Sequence, residues 1–213
     1  MSEPIRLLVA DDQSMVRGAI ATLLSLEADL EVVGQAGDGR QALAALAELA
    51  ARSGRPGAPV DVVLMDVEMP GGDGITACAQ IRQRYPGTRV LMLTTFGRPG
   101  YVQRSLDAGA AGFVVKDAPS EQLAEAVRRV HAGLRVIDPS LAVETLSRGT
   151  SPLTEREEEV LRAVAEGGTI ADVAAQLGVG QGTVRNHVSA AMLKTHARTR
   201  AEAARIATEA GWL

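Results

Sequence analysis

Short apolar runs alternate with longer amphipathic stretches over the first three-fifths of the chain. Amphipathic helices repeat apolar residues every three or four positions, as GRQALAALAELAARS (39–53) and PSEQLAEAVRRVHAG (119–133) do. The shorter runs are almost continuously apolar, which is typical of strands buried on both faces of a parallel sheet. They are IRLLVA (5–10), EVVGQA (31–36), VDVVLM (60–65), RVLMLT (89–94) and AGFVVK (111–116). The pattern predicts an α/β domain with a five-stranded, doubly wound parallel sheet.

The pattern changes in the last part of the chain, where four helical segments follow one another with short connections. A tight turn that contains Gly178 and Gly180 separates the second segment from the third, which is helix-turn-helix spacing. Before these segments lies a stretch rich in Gly, Ser, Thr and Pro, with one short candidate helix after Pro139, as expected of a linker. We therefore predict three parts: an α/β domain (1–132), a linker (133–150) and a small all-α four-helix domain (151–213).

Polar side chains mark the points where four of the predicted strands end. Asp11 and Asp12 follow the first strand, Asp66 follows the third, Thr94 ends the fourth and Lys116 ends the fifth. Parallel strands bring their carboxyl ends together at one edge of the sheet, where ligands bind in such folds. Three converging carboxylates repel one another, and a hard cation that prefers oxygen ligands relieves the repulsion. The sequence therefore predicts a Mg²⁺ site at this edge.

The neighbouring Thr94 and Lys116 suit the oxygens of a small anion on or near Asp66. We expect a phosphoryl group, because an aspartate can be the nucleophile of phosphoryl transfer while a cation and a lysine offset the charge. Taken singly, these residues have plainer interpretations. The Asp-Asp pair can cap the first helix through Asp12 or Ser14, and a single Lys or Thr at a strand end is often only an edge charge or a strand former. Their recurrence at successive strand ends favours a site.

Four motifs in order resemble the receiver domain of two-component response regulators: VADD (9–12), LMDVEMPGGDG (64–74), LMLTT (91–95) and FVVKD (113–117). The resemblance implies that a sensor histidine kinase phosphorylates Asp66, with Lys116 and Thr94 assisting. It implies that Mg²⁺ is held by Asp11, Asp12, Asp66 and the main-chain carbonyl of Glu68.

The same resemblance makes Thr94 and Phe113 a switch pair, in which the hydroxyl moves toward the phosphoryl group and the ring turns inward. We interpret Gly71, Gly72 and Gly74 as turn geometry rather than as a phosphate cradle.

The last part of the chain resembles the LuxR-type helix-turn-helix of the NarL/FixJ family, through LTEREEEVLRAVAEG, IADVAAQLGV, GTVRNHVS and RAEAARIA. The resemblance places the helix that begins near Gln181 in the major groove of double-stranded promoter DNA. Val184, Val188 and Met192 recur every four residues and are expected to pack inward. Arg185, Asn186 and Ser189 then face out, where Arg185 can read guanine or hold a phosphate and Asn186 can pair with adenine. The expected phosphate contacts are Thr183, Lys194, Arg198 and Arg200.

Four positions depart from this helix-turn-helix pattern, and two of them, Ala190 and Ala191, stand where relatives often have basic residues. Gly180 stands where many relatives have a serine that caps the recognition helix, so we expect a weaker helix start. His196 stands where glycine is frequent and a helix ends in left-handed geometry, which histidine tolerates less well. We therefore expect weak DNA binding by the monomer, so that a dimer is needed to place two recognition helices on adjacent half-sites. Because Thr94 and Phe113 lie beside the face of residues about 97–132, we expect phosphorylation of Asp66 to turn this face into the contact surface of a homodimer.

Charge and composition narrow the class of protein. Residues 1–150 hold 15 basic and 18 acidic residues, and residues 151–213 hold 7 and 8, so a cationic surface is confined to the last 30 or so residues. No apolar stretch is long enough to span a membrane and no signal segment is present, which predicts a cytoplasmic protein without a membrane partner. Cys78 is the single cysteine, which excludes internal disulfides and a zinc cluster and indicates helix packing.

These observations favour a transcriptional response regulator that is not an enzyme, with RNA polymerase as a further candidate partner. Two alternatives are open. An aspartate-nucleophile phosphatase shares the sheet and Mg²⁺, but its nucleophile follows the first strand in an Asp-x-Asp arrangement, whereas Asp12 directly follows Asp11. A dimerisation scaffold that works without phosphorylation is disfavoured by Asp66, Thr94 and Lys116, and measurement of acyl phosphate would decide. The stretch from Thr94 to Gly133 and the terminal GWL resemble the DesR-type branch, often linked to envelope or membrane-lipid control.

Overall fold

The computed structural model describes residues 3–69, 74–95, 99–138 and 151–213, and the chain divides into two compact units. The elements of the first unit, to which α4 belongs from Val102 onward, are β1 (Ile5–Ala10), α1 (Ser14–Leu24), β2 (Leu30–Ala36), α2 (Gly39–Ser53), β3 (Val62–Asp66), α3 (Gly74–Arg84), β4 (Arg89–Thr94), α4 (Pro99–Asp107), β5 (Gly112–Val115), α5 (Ser120–His131) and β6 (Val136–Ile137). Those of the second are α6 (Glu155–Glu166), α7 (Ile170–Leu177), α8 (Gln181–Lys194) and α9 (Arg200–Glu209). The candidate helix after Pro139, and Gly71 and Gly72, lie outside the described residues.

A parallel sheet with the strand order β2-β1-β3-β4-β5-β6 forms the centre of the first unit. Its inner strands are buried on both faces, as the continuous apolar runs predicted. One face packs against α1 and α5 through leucine and valine side chains, and α2 contacts α3 and the other side of the sheet. The predicted doubly wound α/β fold is confirmed.

The predicted strand count was wrong, because β6 makes a sixth strand inside the segment predicted to be a linker. Val136 donates its N–H to the carbonyl of Ala111 at 3.1 Å, and Asp138 donates to Phe113 at 3.1 Å. Without this pairing, the outer edge of β5 would expose unpaired backbone groups. Gly112 permits the approach, since a Cβ there would lie 2.7 Å from the carbonyl oxygen of Val136. Two apolar residues are too short a run to be recognised as a strand from the sequence.

The second unit contains the four predicted helices. Two of them begin with capping boxes, in which the N-cap threonine and the residue three positions later satisfy each other's backbone N–H groups: Thr154 with Glu157, and Thr169 with Asp172. On α8, Val184 and Val188 are buried and Met192 packs half-buried against the same core, so the predicted inward face is confirmed.

Both predicted departures at the ends of α8 are found in the structure. Gly180 occupies the N-cap position and supplies no side-chain hydrogen bond. His196 follows the C-cap residue with φ of 54°, and it is the one non-glycine residue with a positive φ among the described residues. The left-handed backbone that the sequence predicted at His196 is therefore present immediately after α8.

Candidate functional site

The acidic pocket lies at the carboxyl edge of the sheet, where β1 and β3 end side by side. The register pairs Ala10 with Met65, so the next residues, Asp11 and Asp66, are neighbours. Asp11 is fully buried and Asp66 is nearly so, whereas Asp12 is exposed. One carboxylate oxygen from each of the three aspartates lies within 4.8 Å of the other two. The predicted convergence of carboxylates is present.

Lys116 bridges the two buried carboxylates. Its Nζ lies 2.7 Å from Asp11 Oδ2 and 2.8 Å from Asp66 Oδ2, and 7% of the side chain is exposed. Its backbone N–H donates to the carbonyl of Thr94 at 2.7 Å, which fixes the end of β5 against β4. The lysine is therefore held in place by the sheet and by both acids.

Burial and the lysine act against each other on the carboxyl of Asp66. Burial and the charge of Asp11 raise the pKa of Asp66 more than Lys116 and the N–H of Glu68 lower it, so the net direction is up. For Lys116, burial lowers the pKa, but the hydrogen bonds and charges of Asp11 and Asp66 together raise it above its ordinary value. Lys116 therefore stays protonated at neutral pH, and a further positive charge near Asp66 would favour its ionised carboxylate.

The start of α1 leaves Asp12 available to the pocket. The helix begins at Ser14, and its N-cap residue Gln13 makes no side-chain capping bond. Gln13 instead donates its N–H to Asp11 Oδ1 at 2.9 Å, and Arg17 donates to the main-chain carbonyl of Asp11. The interpretation of Asp12 or Ser14 as the helix cap was therefore wrong.

The residues present fit a hard divalent cation. Carboxylate oxygens are the ligands that Mg²⁺ prefers, and it is usually held by one or two carboxylates with waters completing the shell. Glu68 lies two residues after Asp66, and its backbone N–H donates a long hydrogen bond to Asp66 Oδ1, with an N to O distance of 3.4 Å. Its side chain is exposed.

Gly74 presses against the backbone of the same aspartate. A Cβ added at this buried glycine would lie 1.9 Å from the carbonyl oxygen of Asp66 and 3.2 Å from that of Val67. Sequence reasoning assigned Gly74 only to turn geometry and missed this contact. The signal available was a glycine soon after a strand that ends in an aspartate, where close backbone approach requires the absence of a side chain.

Thr94 and Phe113 lie on adjacent strands of the sheet and are both buried. Thr94 pairs with Val115 and Met92 pairs with Phe113, so the side chains of Thr94 and Phe113 leave the sheet on the same face. The two side chains therefore lie on the same face of the sheet, two residues apart in register.

The outward face of α8 carries the predicted DNA-contacting residues. Four of them are exposed: Thr183, Arg185, Asn186 and Ser189. Arg185 is loosely tethered to Gln181 Oε1 at 3.4 Å. Arg198 lies beyond the helix and is also exposed.

Two of the residues predicted to contact phosphates bind to other residues of the second unit. Lys194 Nζ lies 2.7 Å from Glu157 Oε2, and Arg200 Nη2 donates to the carbonyl of Gly168 at 2.9 Å. Burial acts to raise the pKa of Glu157, but the hydrogen bond and charge of Lys194 and the hydrogen bonds of Thr154 together outweigh it, so the pKa is lowered. The role of Glu157 was missed, although the Thr-x-x-Glu capping box could have identified it.

Comparison with known proteins identifies both units. Residues 7–128 match the response regulator receiver domain, and residues 151–207 match the luxR family of bacterial regulatory proteins. The chain belongs to the NarL/FixJ family of two-component response regulators.

Relatives match this regulator along nearly its whole length. The transcriptional regulatory protein YvfU of Bacillus subtilis (strain 168) is 42% identical over 209 residues, covering 98% of this chain and all of YvfU. DesR of the same strain is 41% identical over 208 residues, with 98% of each chain covered. Among solved structures, the response regulator ChrA of a heme-sensing two-component system is 30% identical with a TM-score of 0.56, covering 98% of each chain.

The regulator therefore combines a receiver with a LuxR-type DNA-binding domain and acts in transcription. The phosphatase alternative was wrong, because the matched family consists of DNA-binding regulators and not of enzymes. None of the helices in the described part of the chain is long and apolar enough to cross a membrane.

Proposed function

We propose that a sensor histidine kinase phosphorylates Asp66 and that the phosphorylated regulator forms a homodimer which binds promoter DNA. The proposed parts are a receiver (1–132), a linker (133–150) and a DNA-binding domain (151–213). One observation carries the proposal: the Asp66 carboxylate is buried at a strand end, 2.8 Å from Lys116 and clustered with two further aspartates. Burial of a charged carboxylate beside two others costs folding free energy, which is accounted for if the carboxylate has a function.

The receiver would hold Mg²⁺ beside the phosphoacceptor. Its ligands would be Asp11, Asp12, Asp66 and the main-chain carbonyl of Glu68. When bound, the cation supplies positive charge to the phosphoryl oxygens as negative charge develops on them. Lys116 supplies a second cation that the protein itself fixes.

The switch would run through Thr94 and Phe113. A phosphoryl group on Asp66 offers new acceptor oxygens, to which the Thr94 hydroxyl would turn. Phe113 lies on the same face of the sheet and is fully buried, so the turn of the hydroxyl would change the packing around its ring. The change would alter the surface formed by α4, β5 and α5 and so favour a dimer.

The second unit would place α8 in the major groove. Arg185, Asn186 and Ser189 would meet base edges, and Arg185 can alternatively hold a phosphate. Thr183, Lys194, Arg198 and Arg200 would meet phosphates. The internal bonds of Lys194 and Arg200 do not use all of their donors, because an ammonium has three and a guanidinium five. A dimer would set two such helices on adjacent half-sites.

A kinase and chromosomal DNA as partners imply a cytoplasmic location, which we propose for the regulator. RNA polymerase is a candidate partner to which no residue of the chain is assigned.

Labelling with a small phosphodonor in Mg²⁺ tests the site. Wild-type protein should acquire acid-labile, hydroxylamine-sensitive phosphate, and Asp66→Asn should acquire none while keeping its circular dichroism. Asp107→Asn, a change of an exposed aspartate in α4, is the matched control and should label normally. Persistent acyl phosphate in Asp66→Asn would refute the assignment.

Sizing of the full chain with and without beryllofluoride tests the second step. The phosphoryl analogue should shift wild-type protein toward a dimer and tighten its DNA binding, and it should have no effect on Asp66→Asn. A dimer that forms equally without the analogue would support the phosphorylation-independent scaffold instead.

A further inference from the structure

A second polar cavity lies at the amino edge of the same sheet, opposite the acidic pocket. It has a volume of about 270 Å³ and lies where β4, β5 and β6 begin. Three arginines from different elements line it: Arg82 near the end of α3, Arg89 at the start of β4 and Arg135 just before β6. We refer to it as the arginine cavity.

Two of these arginines lie against glycines that line the arginine cavity. Gly109 and Gly133 have φ of 90° and 93°, a region that favours glycine. A Cβ at Gly109 would lie 3.2 Å from Cγ of Arg82, and one at Gly133 would lie 3.4 Å from Nη2 of Arg89. The Arg82 stem and the Arg89 guanidinium therefore occupy space that a side chain at Gly109 or Gly133 would fill.

Hydrogen bonds fix the first arginine further. Arg82 Nη1 donates to the carbonyl of Pro86 at 2.9 Å and to that of Thr88. These bonds satisfy two carbonyl oxygens of the α3–β4 connection and add no negative charge to the cavity. The Arg82 guanidinium is therefore positioned without being neutralised.

The arginine cavity lacks counter-ions among the described residues. None of its lining residues is an aspartate or glutamate, and the side chains of Arg89 and Arg135 make no hydrogen bond or ion pair within the described part of the chain. Elsewhere in this unit, arginines meet acids: Arg55 pairs with Asp61, and Arg128 pairs with Asp29. Clustered cations repel one another, and the repulsion is offset by a bound anion.

The guanidinium fork determines which anion fits. Arginine presents paired N–H donors that match the oxygens of phosphate. The cavity volume falls just below the roughly 300–1,000 Å³ of pockets for drug-sized ligands, which favours a small ligand over a whole nucleotide. We propose that the arginine cavity binds a small phosphate anion, either inorganic phosphate or pyrophosphate. Such an anion would tie the short β6 strand to α3 and β4.

Calorimetric titration of the full-length protein tests this site. Phosphate and pyrophosphate are titrated separately at matched ionic strength, in EDTA so that no metal bridges the anion to the acidic pocket. Binding of at least one anion at millimolar or lower concentration is expected, and pyrophosphate binding tighter than phosphate would identify the longer anion as the better fit. Absence of binding by both anions overturns the proposal.

Variants locate the bound anion. Arg89→Gln and Arg135→Gln should each weaken binding by about tenfold or more, because each removes hydrogen bonds from a charged donor. Arg84→Gln, which changes an exposed arginine of α3 outside the cavity, is the matched control and should bind within about twofold of wild type. Equal weakening by all three variants would show general electrostatic attraction and overturn the proposal.

Two further readouts separate the cavity from the phosphoacceptor. Binding should persist in Asp66→Asn, and amide resonances of Gly109 and Gly133 should shift on titration. Loss of binding in Asp66→Asn would place the anion in the acidic pocket and refute the inference, and it would leave the proposed phosphorylation of Asp66 intact. Normal phosphodonor labelling of the arginine variants checks that they fold.

Discussion

Replacement of Gly74 by alanine tests whether close backbone packing positions Asp66. The new Cβ would lie 1.9 Å from the carbonyl oxygen of Asp66, whereas Cβ atoms essentially never come within 3.0 Å of such a neighbour. Because the obstacle is backbone and cannot rotate away, the end of β3 or the start of α3 must move by about 1 Å. Overpacking of this kind destabilises by about 1–3 kcal/mol. A 1 Å misplacement of a reacting group can lower a rate by about a hundredfold.

The assay measures acyl phosphate formation on the folded fraction of each variant, together with urea unfolding. Gly74→Ala should react about a hundredfold more slowly than wild type and unfold at lower urea. Gly18→Ala is the control, because a Cβ there meets nothing within 4 Å and the residue lies inside α1. It should stabilise the protein by about 0.5–1 kcal/mol and leave the rate unchanged. A Gly74→Ala protein with wild-type rate and stability would refute the reasoning.

Three other predictions concern stability and reactivity. His196→Gly should stabilise the second unit by about 0.5–1 kcal/mol, because relief of the left-handed strain exceeds the entropy cost of glycine. Urea unfolding followed by the fluorescence of Trp212, the single tryptophan, measures the change, and a loss of stability would contradict the prediction. Because the pKa of Glu157 is lowered, its stabilisation is present above the ordinary value of 4.5 and lost as pH falls through the folded value. Lys194→Met should therefore destabilise at neutral pH and flatten the acid loss, and an unchanged pH profile would count against the ion pair. Burial raises the pKa of Cys78 to about 12, so a thiol reagent should label it only after unfolding, and rapid labelling of native protein would contradict this.

Much of the fold was predictable because its signals are local. The continuous apolar runs correspond to β1 through β5 with ends within two residues, and α2 spans the predicted residues. That helix is bounded by local chemistry: Asp38 accepts from the N–H of Gln41 at its start, and Gly54 adopts φ of 66° at its end. The acidic pocket was predictable for a related reason, because parallel strands place their last residues together once the strand ends are known.

The features that were missed depend on contacts between distant residues. The strand β6 exists because Gly112 admits a neighbouring backbone, and two apolar residues carry no periodicity of their own. The pairing of Lys194 with Glu157 joins residues 37 positions apart, so the spacing along α8 alone indicated a solvent-facing cation. The arginine cavity likewise assembles from three elements, none of which is unusual by itself.

The charges of the acidic pocket give the proposed switch a direction. Three carboxylates and one lysine leave a net charge of about −2, which a divalent cation would cancel. Phosphorylation replaces the single charge of Asp66 with about −1.5 to −2 and three acceptor oxygens, so the metal-bound pocket becomes negative again. Lys116 is already engaged by two acids, and burial limits what water can contribute. A donor that moves in only after phosphorylation, as proposed for the Thr94 hydroxyl, is therefore stabilised in the phosphorylated state and not before it. This difference between the two states is what a population shift toward the dimer requires.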